Sequence, residues 1–405
     1  RVDCVEGLGD WRADWAGKGC GSDGCTGSCG DCGGEETCLA GTCGPPELSC
    51  DDGNDVPWDG CTDGQISEFG VETKLPWVLS PSFPRIGTFP SGGFVVTWQA
   101  GVFGLPQHSA AARLFLPDGT AASDTFLVNA VDGYEQNSVV PVPFSDGSFL
   151  IVWEGCVFGP DEIPGSNGCD ITAQQFAPDG SPMGTEIFVD TESGLQRTPD
   201  AAAVGDDDVV VVWVSKQEVS GLWKVMGNVL SVGDWQADSE FSISGACSDW
   251  TLGPSVARLS DGNSVVAWAQ NECAAGTEPD GAGWDVRVRI FNQSAPNPGT
   301  ETAVNTQTEG SQLRPAVAGL SSGDFIVAWE SQHPDSQGQI VSRVRARMFD
   351  STALALGDEL DLSPVDDGAQ SGCRISALPG SGLVAACTYS YITGLTHAFD
   401  TISHR

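Results

Sequence analysis

The stretch Gln312-Leu-Arg-Pro-Ala-Val-Ala-Gly-Leu320, followed by a short Ser-Gly turn and Asp324-Phe-Ile-Val-Ala-Trp329, decides the fold. The second phrase is apolar on both faces, so a strand made from it needs cover on both sides. Similar phrases end at Trp98, Trp153, Trp213 and Trp268, and a sixth copy ends at Cys387. Successive Trp residues are 55, 60, 55 and 61 positions apart, and such a period predicts a repeat architecture.

Each repeat contains four strand-like segments. The two above are followed by an alternating strand, as at residues 286–291, and by a short fourth strand, as at 301–305. Strands that become more exposed from the inner to the outer edge of a sheet are typical of propeller blades, which are arranged around a central axis. The last repeat lacks a fourth strand, whereas residues 67–72 form an orphan strand ahead of the first repeat. These complementary ends, which an open array of sandwiches does not explain, predict an all-β, six-bladed β-propeller closed by an N-terminal strand.

Cysteines predict a second, smaller domain. Seven of the 15 lie between residues 4 and 43, so we predict a disulfide-rich module at 1–65 and the propeller at 66–405. A zinc site at Cys29-x-x-Cys32 lacks a second pair at matching distance, so disulfides in an oxidising compartment are favoured. Fifteen is odd, so at least one thiol is free or bonds to another chain. The pairs that we predict are Cys50–Cys61, Cys156–Cys169, Cys247–Cys273 and Cys373–Cys387.

Composition excludes several partners. The chain carries 18 basic and 55 acidic side chains, for a net charge of −37. Such a charge repels phosphate backbones and anionic lipids, so we expect no nucleic-acid partner. No run reaches the roughly 18 apolar residues of a membrane span. Because the chain opens at Arg1 without an apolar leader, we expect that a signal peptide has been removed or that the chain is a fragment. An extracellular or cell-surface location follows.

The quoted motifs carry two resemblances. Residues 66–405 resemble secreted bacterial repeats with the pattern Phe-x-Val-Asn, Gln-x-x-Pro-x-Val-Ala and Asp-Gly-x-Phe-Val-Val-x-Trp. The stretch Cys20-Gly-Ser-Asp-Gly-Cys25, with the cysteines up to Cys61, is similar to cysteine-rich modules of myxobacterial-type secreted proteins. Both resemblances imply an extracellular setting, and neither implies a reaction.

Catalytic motifs are weak. The Asp-box of sialidases places Asp five residues before Trp, whereas Asp261 lies seven residues before Trp268. The Asp-Gly dipeptide at 261–262 is more typical of a hairpin turn. An arginine cluster from Arg197, Arg314 and Arg374 is conceivable, but their offsets differ between repeats. With four His and no nucleophile elbow, the chain offers little for a Ser/His/Asp arrangement. We therefore expect no enzyme.

One cluster of oxygen ligands suits a metal. Acidic and amide side chains crowd a Gly-containing loop between Cys50 and Cys61, as calcium prefers, although the spacing is not that of an EF-hand. The candidate calcium ligands are Asp51, Asp52, Asn54 and Asp59. In so acidic a chain these residues could equally belong to solvated turns. Calcium is the only cofactor that the sequence suggests.

The long connections between second and third strands and between repeats emerge on one side of the predicted propeller. Binding concentrates on such loops, so we expect a protein or glycan partner there. The candidate contacts are Phe103, Phe158, Trp250 and Trp284, and loop packing is the alternative role of these aromatics. Residues 1–65 offer an additional self-assembly contact.

These patterns predict a non-catalytic extracellular interaction or assembly protein, for example a subunit of a surface polymer or matrix. A glycan-binding propeller is the alternative, and a propeller glycoside hydrolase is a more distant one.

Peptide mapping tests the repeat assignment. Cys247 and Cys273, like Cys373 and Cys387, straddle a predicted hairpin turn almost symmetrically. Each pair should therefore be recovered as a linked peptide, stabilising the fold by about 3 kcal/mol through the closed loop. A peptide that links Cys156 to Cys373 would contradict the assignment of repeats.

Overall fold

In the computed structural model the chain forms two compact units, Arg1–Val71 and Glu72–Arg405, each described in separate segments. The described segments are residues 37–39, 42–44, 61–62, 65–66, 78–102, 108–130, 134–157, 168–190, 194–205, 208–231, 240–245, 251–271, 283–292, 299–334, 338, 340–362, 369–378, 382–390 and 397–404. In the first unit they form two antiparallel pairs, Thr37–Leu39 with Thr42–Gly44 and Cys61–Thr62 with Gln65–Ile66. The predicted closing strand at 67–72 lies outside the described residues.

The described part of the second unit consists of antiparallel sheets whose strands follow one another in chain order. Five sheets have four strands and one has three. Sheet 1 comprises Val78–Thr88, Phe94–Val102, His108–Phe115 and Phe126–Leu127. Sheet 2 comprises Tyr134–Pro143, Phe149–Val157, Cys169–Phe176 and Pro182–Phe188. Sheet 3 comprises Gly194–Ala203, Asp208–Gln217, Trp223–Ser231 and Phe241–Ser242. Sheet 4 comprises Thr251–Arg258, Ser264–Asn271, Trp284–Phe291 and Thr302–Ala303. Sheet 5 comprises Ser311–Gly319, Phe325–Pro334, Ile340–Phe349 and Leu360–Asp361. Sheet 6 comprises Ala369–Leu378, Gly382–Ser390 and His397–His404.

The predicted all-β class is confirmed, because the described residues contain strands and turns but no helix. It follows that none of these residues forms a helix able to cross a membrane.

Tight turns join the strands where the sequence predicts them. The carboxylate of Asp146 accepts hydrogen bonds from the N–H and the hydroxyl of Ser148, at 2.9 and 2.7 Å. Gly147 between them has φ +87°, which glycine adopts without strain. Asp118 and Asp179 bind Thr120 and Ser181 in the same way. These short side-chain bonds close the hairpins, as Asx-turns do.

Apolar layers between successive sheets form the core. The layer between sheets 2 and 3, for example, contains Leu150 and Val152 of sheet 2 and Trp213 of sheet 3. Similar layers lie between sheets 1 and 2, 3 and 4, 4 and 5, and 5 and 6. The second strands of sheets 2 to 5 therefore face apolar side chains on both sides, which explains their uniformly apolar sequences.

All six first strands share a β-bulge at one place. In sheet 3, Arg197 pairs with Val214 and Asp200 with Val212, so Thr198 and Pro199 together stand opposite Trp213. The same slip occurs opposite Trp98, Trp153, Trp268, Trp329 and Cys387. In four sheets the first bulge residue has positive φ without being glycine, at Phe83, Ser138, Thr198 and Arg314. Such a conformation costs about 1–3 kcal/mol each, so the surrounding sheets must enforce it.

A buried hydrogen bond explains the Gln-x-x-Pro phrase. The indole N–H of Trp213 donates to Oε1 of Gln196 at 2.9 Å, and that of Trp329 donates to Gln312 at 2.9 Å. The Gln lies two residues before the bulge residue and reaches across it to the Trp. In sheet 4, where Thr251 takes the place of Gln, Trp268 instead donates to Gln270 of its own strand at 2.7 Å.

Removing this acceptor should destabilise the fold. Gln312→Leu leaves the Trp329 N–H buried without a partner, so we expect a loss of about 1–3 kcal/mol in the free energy of unfolding. Urea denaturation measures it. The same change in a chain carrying Trp329→Phe should cost clearly less, because no donor is left unpaired. Equal costs in the two backgrounds would show that the hydrogen bond does not matter.

Candidate functional site

Most of the predicted site residues lie outside the described part of the chain. Among these are the predicted calcium ligands Asp51, Asp52, Asn54 and Asp59, and the aromatics Phe103, Phe158 and Trp250. Trp284 begins the third strand of sheet 4, is half-buried and packs against the apolar layer shared with sheet 5. Calcium binding, self-assembly through residues 1–65 and ligand binding by these aromatics stay predictions.

The predicted Cys156–Cys169 disulfide is present. It joins directly paired residues of the second and third strands of sheet 2. Cys373 is also disulfide-bonded, and the strand register places it opposite Cys387, whose side chain is not among those described. Cys50, Cys247 and Cys273 lie outside the described residues, as does the side chain of Cys61.

Polar side chains gather where the first strands begin and the second strands end, which we call the long-loop end. Residues ahead of the bulge on a first strand meet residues just after the Trp on a second strand. In sheets 1 to 3 this end holds a connected group, the Glu154 cluster. It consists of Gln99, Glu135, Asn137, Glu154 and Arg197.

Two of its members link sheets 1 and 2. Nε2 of Gln99 donates to Glu135 Oε1 at 3.2 Å and to the side-chain oxygen of Asn137. The other oxygen of Glu135 accepts the His108 backbone N–H at 3.1 Å, and Nδ1 of His108 lies 2.5 Å from Glu135 Oε1. The Glu135 carboxylate is therefore oriented by three donors while remaining partly exposed.

Glu154 links sheets 2 and 3. Its Oε2 accepts the backbone N–H of Thr198, the bulge residue of sheet 3, at 2.9 Å. Its Oε1 lies 3.9 Å from Nε of Arg197 and 3.3 Å from Sγ of Cys156. Because both thiols at this place are joined in the disulfide, Glu154, Cys156 and Cys169 offer no thiolate to a metal ion.

Burial gives Glu154 the character of a proton donor. Desolvation raises its pKa above the ordinary value, outweighing the Thr198 N–H and the charge of Arg197, and nearby Glu135 raises it further. Asn137 also bonds to the Glu154 side chain, so it stands between the two carboxyl groups. Two carboxyl groups in different environments can serve as acid and base.

The three arginines of the conceivable cluster all lie at or beside a bulge. Arg197 precedes the bulge of sheet 3, Arg314 is the first bulge residue of sheet 5, and Arg374 follows the bulge of sheet 6. Nη1 of Arg314 binds Glu330 Oε2 at 2.6 Å, although 58% of the Arg314 side chain is exposed. Because their offsets from the bulge differ, the three arginines lie at different positions along their first strands, but all of them lie close to the bulge.

A second acidic group lies on the third strand of sheet 2 and just after its fourth strand. The Asp190 carboxylate accepts the Ile171 N–H at 2.5 Å, and burial together with nearby Asp170 raises the pKa of Asp190 to about 7. Asn129 and Asn305 make the corresponding bond in sheets 1 and 4. The role of this position is therefore structural. Ionising the buried Asp190 carboxyl group costs free energy, and the neutral Asn side chains avoid this cost.

Glu135, Glu154, Gln99 and His108 were not among the residues predicted from the sequence. One signal was available, because the residue after the Trp is apolar in Val214 and Ala269 but polar in Gln99, Glu154 and Glu330. A polar residue in an otherwise apolar phrase indicates a special environment.

Comparisons with known proteins identify the fold. No family model matches the chain, and no curated protein matches it. The chain is similar to a solved protein of unknown function from Dyadobacter fermentans, with a TM-score of 0.53, 12% identity, and 80% of this chain and 95% of that one covered. It is also similar to α-L-arabinanase of Penicillium chrysogenum complexed with arabinobiose, with a TM-score of 0.51, 14% identity and coverage of 82% and 95%. NanB sialidase of Streptococcus pneumoniae has a TM-score of 0.51, 10% identity and coverage of 82% and 70%.

These likenesses show a propeller-like fold, and they correct one prediction. The expectation of a non-catalytic interaction or assembly protein that is not an enzyme is wrong, because solved proteins with this fold are an arabinanase and a sialidase. That expectation depended on missing motif spacings. The residues of the Glu154 cluster come from three sheets, so no motif within one stretch of the sequence contains them.

The Asp190 environment predicts a pH effect. A carboxyl with a raised folded pKa holds its proton more tightly when folded, so stability should fall as pH rises from about 4 to above 7. Asp190→Asn should remove this loss and stabilise the protein at pH 8 by an amount on the order of 3 kcal/mol. Thermal unfolding across pH measures it. Asn129→Asp, the reverse change in sheet 1, should introduce the same pH dependence. If neither variant changes the pH profile, this interpretation fails.

Proposed function

We propose that the protein is a propeller glycoside hydrolase whose substrate binds at the long-loop end of sheets 1 to 3. The observation that carries the proposal is the Glu154 cluster, in which a buried, protonation-prone carboxyl group is linked through Asn137 to a second, more exposed carboxylate. Glycoside hydrolysis needs such a pair, one group to protonate the leaving oxygen and one to act as base or nucleophile.

The chain's residues then have distinct roles. Glu154 is the proton donor, because burial keeps its carboxyl group protonated to higher pH. Glu135 is the second carboxylate, oriented by Gln99 and by His108. Arg197 and the Thr198 N–H position Glu154 and limit the rise of its pKa.

An exposed aromatic side chain lies beside this cluster. Phe83 is 72% exposed, although it lies within a first strand at the bulge position. Its neighbour Ser82 donates to Gln99 Oε1 at 2.9 Å, which fixes the strand next to the cluster. Exposed aromatic rings offer an apolar face with a polar edge, and we propose that Phe83 contacts a sugar ring.

The proposal includes a closed six-bladed ring, with residues 67–72 completing the last blade. Val96, Trp98 and Ala100 support closure. They face away from the layer between sheets 1 and 2, yet Trp98 is only 2% exposed. A first sheet with an uncovered outer face would expose them. Sheet 6 is the element that can supply this cover, because Arg85 of sheet 1 acts on the pKa of Arg374 of sheet 6.

An extracellular location fits this activity. Polymeric glycans are substrates outside cells, and disulfide bonds persist in oxidising compartments. The resemblance to secreted bacterial repeats points the same way. We therefore propose a secreted bacterial enzyme.

Hydrolysis tests the proposal directly. The full chain is incubated with arabinan, sialyllactose and polygalacturonate, and the new reducing ends are measured. We expect turnover of at least one substrate and a loss of about 100-fold or more in kcat with Glu154→Gln, because proton donation contributes 10²–10⁴-fold. Gln retains an oxygen that accepts the Thr198 N–H, so the fold should persist.

Glu186→Gln is the matched control. Glu186 also belongs to sheet 2, but it lies on the outer strand, where its carboxylate accepts the Ala130 N–H at 2.5 Å. This variant should retain activity. No turnover of a broad glycan panel by the folded chain, or equal activity of Glu154→Gln and the parent, would overturn the proposed function.

A further inference from the structure

A repeated hydrogen bond joins successive sheets near their outer edges. Nδ2 of Asn228 in sheet 3 donates at 3.0 Å to the carbonyl of Val189, which directly follows the fourth strand of sheet 2. Nη1 of Arg347 in sheet 5 donates at 3.1 Å to the carbonyl of Val304, which directly follows the fourth strand of sheet 4. Both donors lie on a third strand, opposite the residue two before Trp on the second strand. This position therefore closes the outer seam between a sheet and the one before it.

Sheets 3 and 4 make the same bond beside a pair of aromatic rings. Arg289 takes the donor position of sheet 4, and its Nη1 donates to the carbonyl of Ile243, which follows the fourth strand of sheet 3. Next to it, Phe241 of sheet 3 packs against Phe291 of sheet 4 with ring centroids 5.2 Å apart. A guanidinium group therefore fits at such a seam together with the aromatic pair.

The seam between sheets 1 and 2 has the same parts apart from the donor. Phe126 of sheet 1 packs against Phe176 of sheet 2 with ring centroids 5.6 Å apart. Val128 follows the fourth strand of sheet 1, as Ile243 follows that of sheet 3. At the donor position of sheet 2, however, the residue is Gln174. The aromatic pair and the acceptor are present here without an arginine.

Gln174 does not take the role of that arginine, because its side chain is used within sheet 2. Its Nε2 donates to the carbonyl oxygens of Gln175 and Met183, at 2.8 Å each, which uses both N–H groups of the amide. The fourth strand has a wide bulge at this place, with residues 184–186 opposite Gln174 alone. The Val128 carbonyl therefore receives no donor from the position that serves its counterparts in the other seams.

A cavity of about 430 Å³, which we call the rim cavity, lies at this seam. Its lining includes Leu127 and Val128 of sheet 1 and Gln174, Phe176 and Pro182 of sheet 2. The lining residues at the start of the fourth strand of sheet 2 are exposed, so the cavity is open to solvent. Apolar walls beside a carbonyl acceptor suit the apolar stem and the N–H groups of an arginine side chain.

We propose that the rim cavity binds an arginine side chain of a basic partner protein, which takes the place that Arg289 and Arg347 have in their own seams. The net charge of −37 attracts basic partners and favours their association. This site does not depend on the proposed hydrolase activity.

The edge next to the rim cavity suits an extended segment of such a partner. The fourth strand of sheet 2, Pro182–Phe188, has seven residues, whereas those of sheets 1, 3, 4 and 5 have two each. Its last residue, Phe188, is 68% exposed. An extended segment can pair with an exposed edge strand while one of its side chains enters a neighbouring pocket. The edge therefore favours an arginine within a protein segment over free arginine.

Titration of the full chain with short peptides, followed by NMR, tests the site. About 0.15 M salt screens the long-range attraction of the acidic surface. The probes are acetyl-Gly-Gly-Arg-Gly-Gly-amide and its counterparts with citrulline or lysine in place of arginine. We expect the citrulline peptide to bind about tenfold more weakly or less, because it lacks the positive charge. The lysine peptide should lie between them, because it keeps the charge without the planar set of donors.

Gln174→Arg fills the rim cavity from within the chain. We expect it to weaken binding of the arginine peptide about tenfold or more, because the Val128 carbonyl is then occupied. The variant should fold, since arginine has the same position in sheets 4 and 5. Leu354→Arg is the matched control. It adds the same charge on an outer hairpin of sheet 5, where Leu354 is 66% exposed, and should leave the affinity unchanged.

Three results would overturn the site. They are equal affinity of the parent and Gln174→Arg for the arginine peptide, equal affinity of the parent for the arginine and citrulline peptides, and equal weakening by Gln174→Arg and Leu354→Arg. Sedimentation of the chain alone tests the identity of the partner. Self-association that Gln174→Arg abolishes and Leu354→Arg does not would reject a foreign partner and assign the rim cavity to an arginine of a second copy.

Discussion

A buried indole N–H between two packed sheets needs an acceptor, and in sheets 3 and 5 a glutamine of the first strand supplies it. Trp213 and Trp329 fill the space between neighbouring sheets and donate to Gln196 and Gln312. The Gln can reach the indole because an extra residue on the first strand stands opposite the Trp. An unsatisfied buried donor costs about 1–3 kcal/mol, comparable with the backbone strain of the bulge. The two features occur together in sheets 3 and 5, whereas the bulge is present in all six sheets.

The bulge also decides where polar chemistry can occur. Side chains ahead of it, such as Asn137 and Arg197, point to the same end as the residues that follow Trp on the second strand. Side chains after it, such as Asp200, face the neighbouring first strands. One backbone irregularity, repeated in every sheet, thus creates two layers of positions that can vary without disturbing the apolar layers. The carboxyl groups of the Glu154 cluster use one layer, and Asp200 and Ser255, which accept N–H groups of neighbouring first strands, use the other.

Features that depend on neighbouring residues could be predicted from the sequence. The Trp period, the Asp-Gly turns and the Cys156–Cys169 bond each depend on residues close together along the chain, or on simple strand register. The Glu154 cluster could not be predicted in this way. Glu135 and Glu154 lie in sheet 2 and Arg197 lies in sheet 3, so their proximity depends on strand register and on how the two sheets pack, which no local motif reveals. The repeat pattern also does not reveal that Gln196 and Gln312 accept the indole N–H of Trp213 and Trp329.

The Asp-Gly turns bear on how the molecule ages. In an Asp-Gly dipeptide the glycine nitrogen can attack the side-chain carboxyl group and rearrange the backbone, a slow reaction that flexible loops permit. In these hairpins the carboxylates of Asp118, Asp146 and Asp179 are held by the N–H and hydroxyl groups two residues later. The same bonds lower their pKa values, so the carboxyl groups stay ionised and resist attack. The hydrogen bonds that shape these three hairpins therefore also protect their Asp-Gly dipeptides from chemical decay.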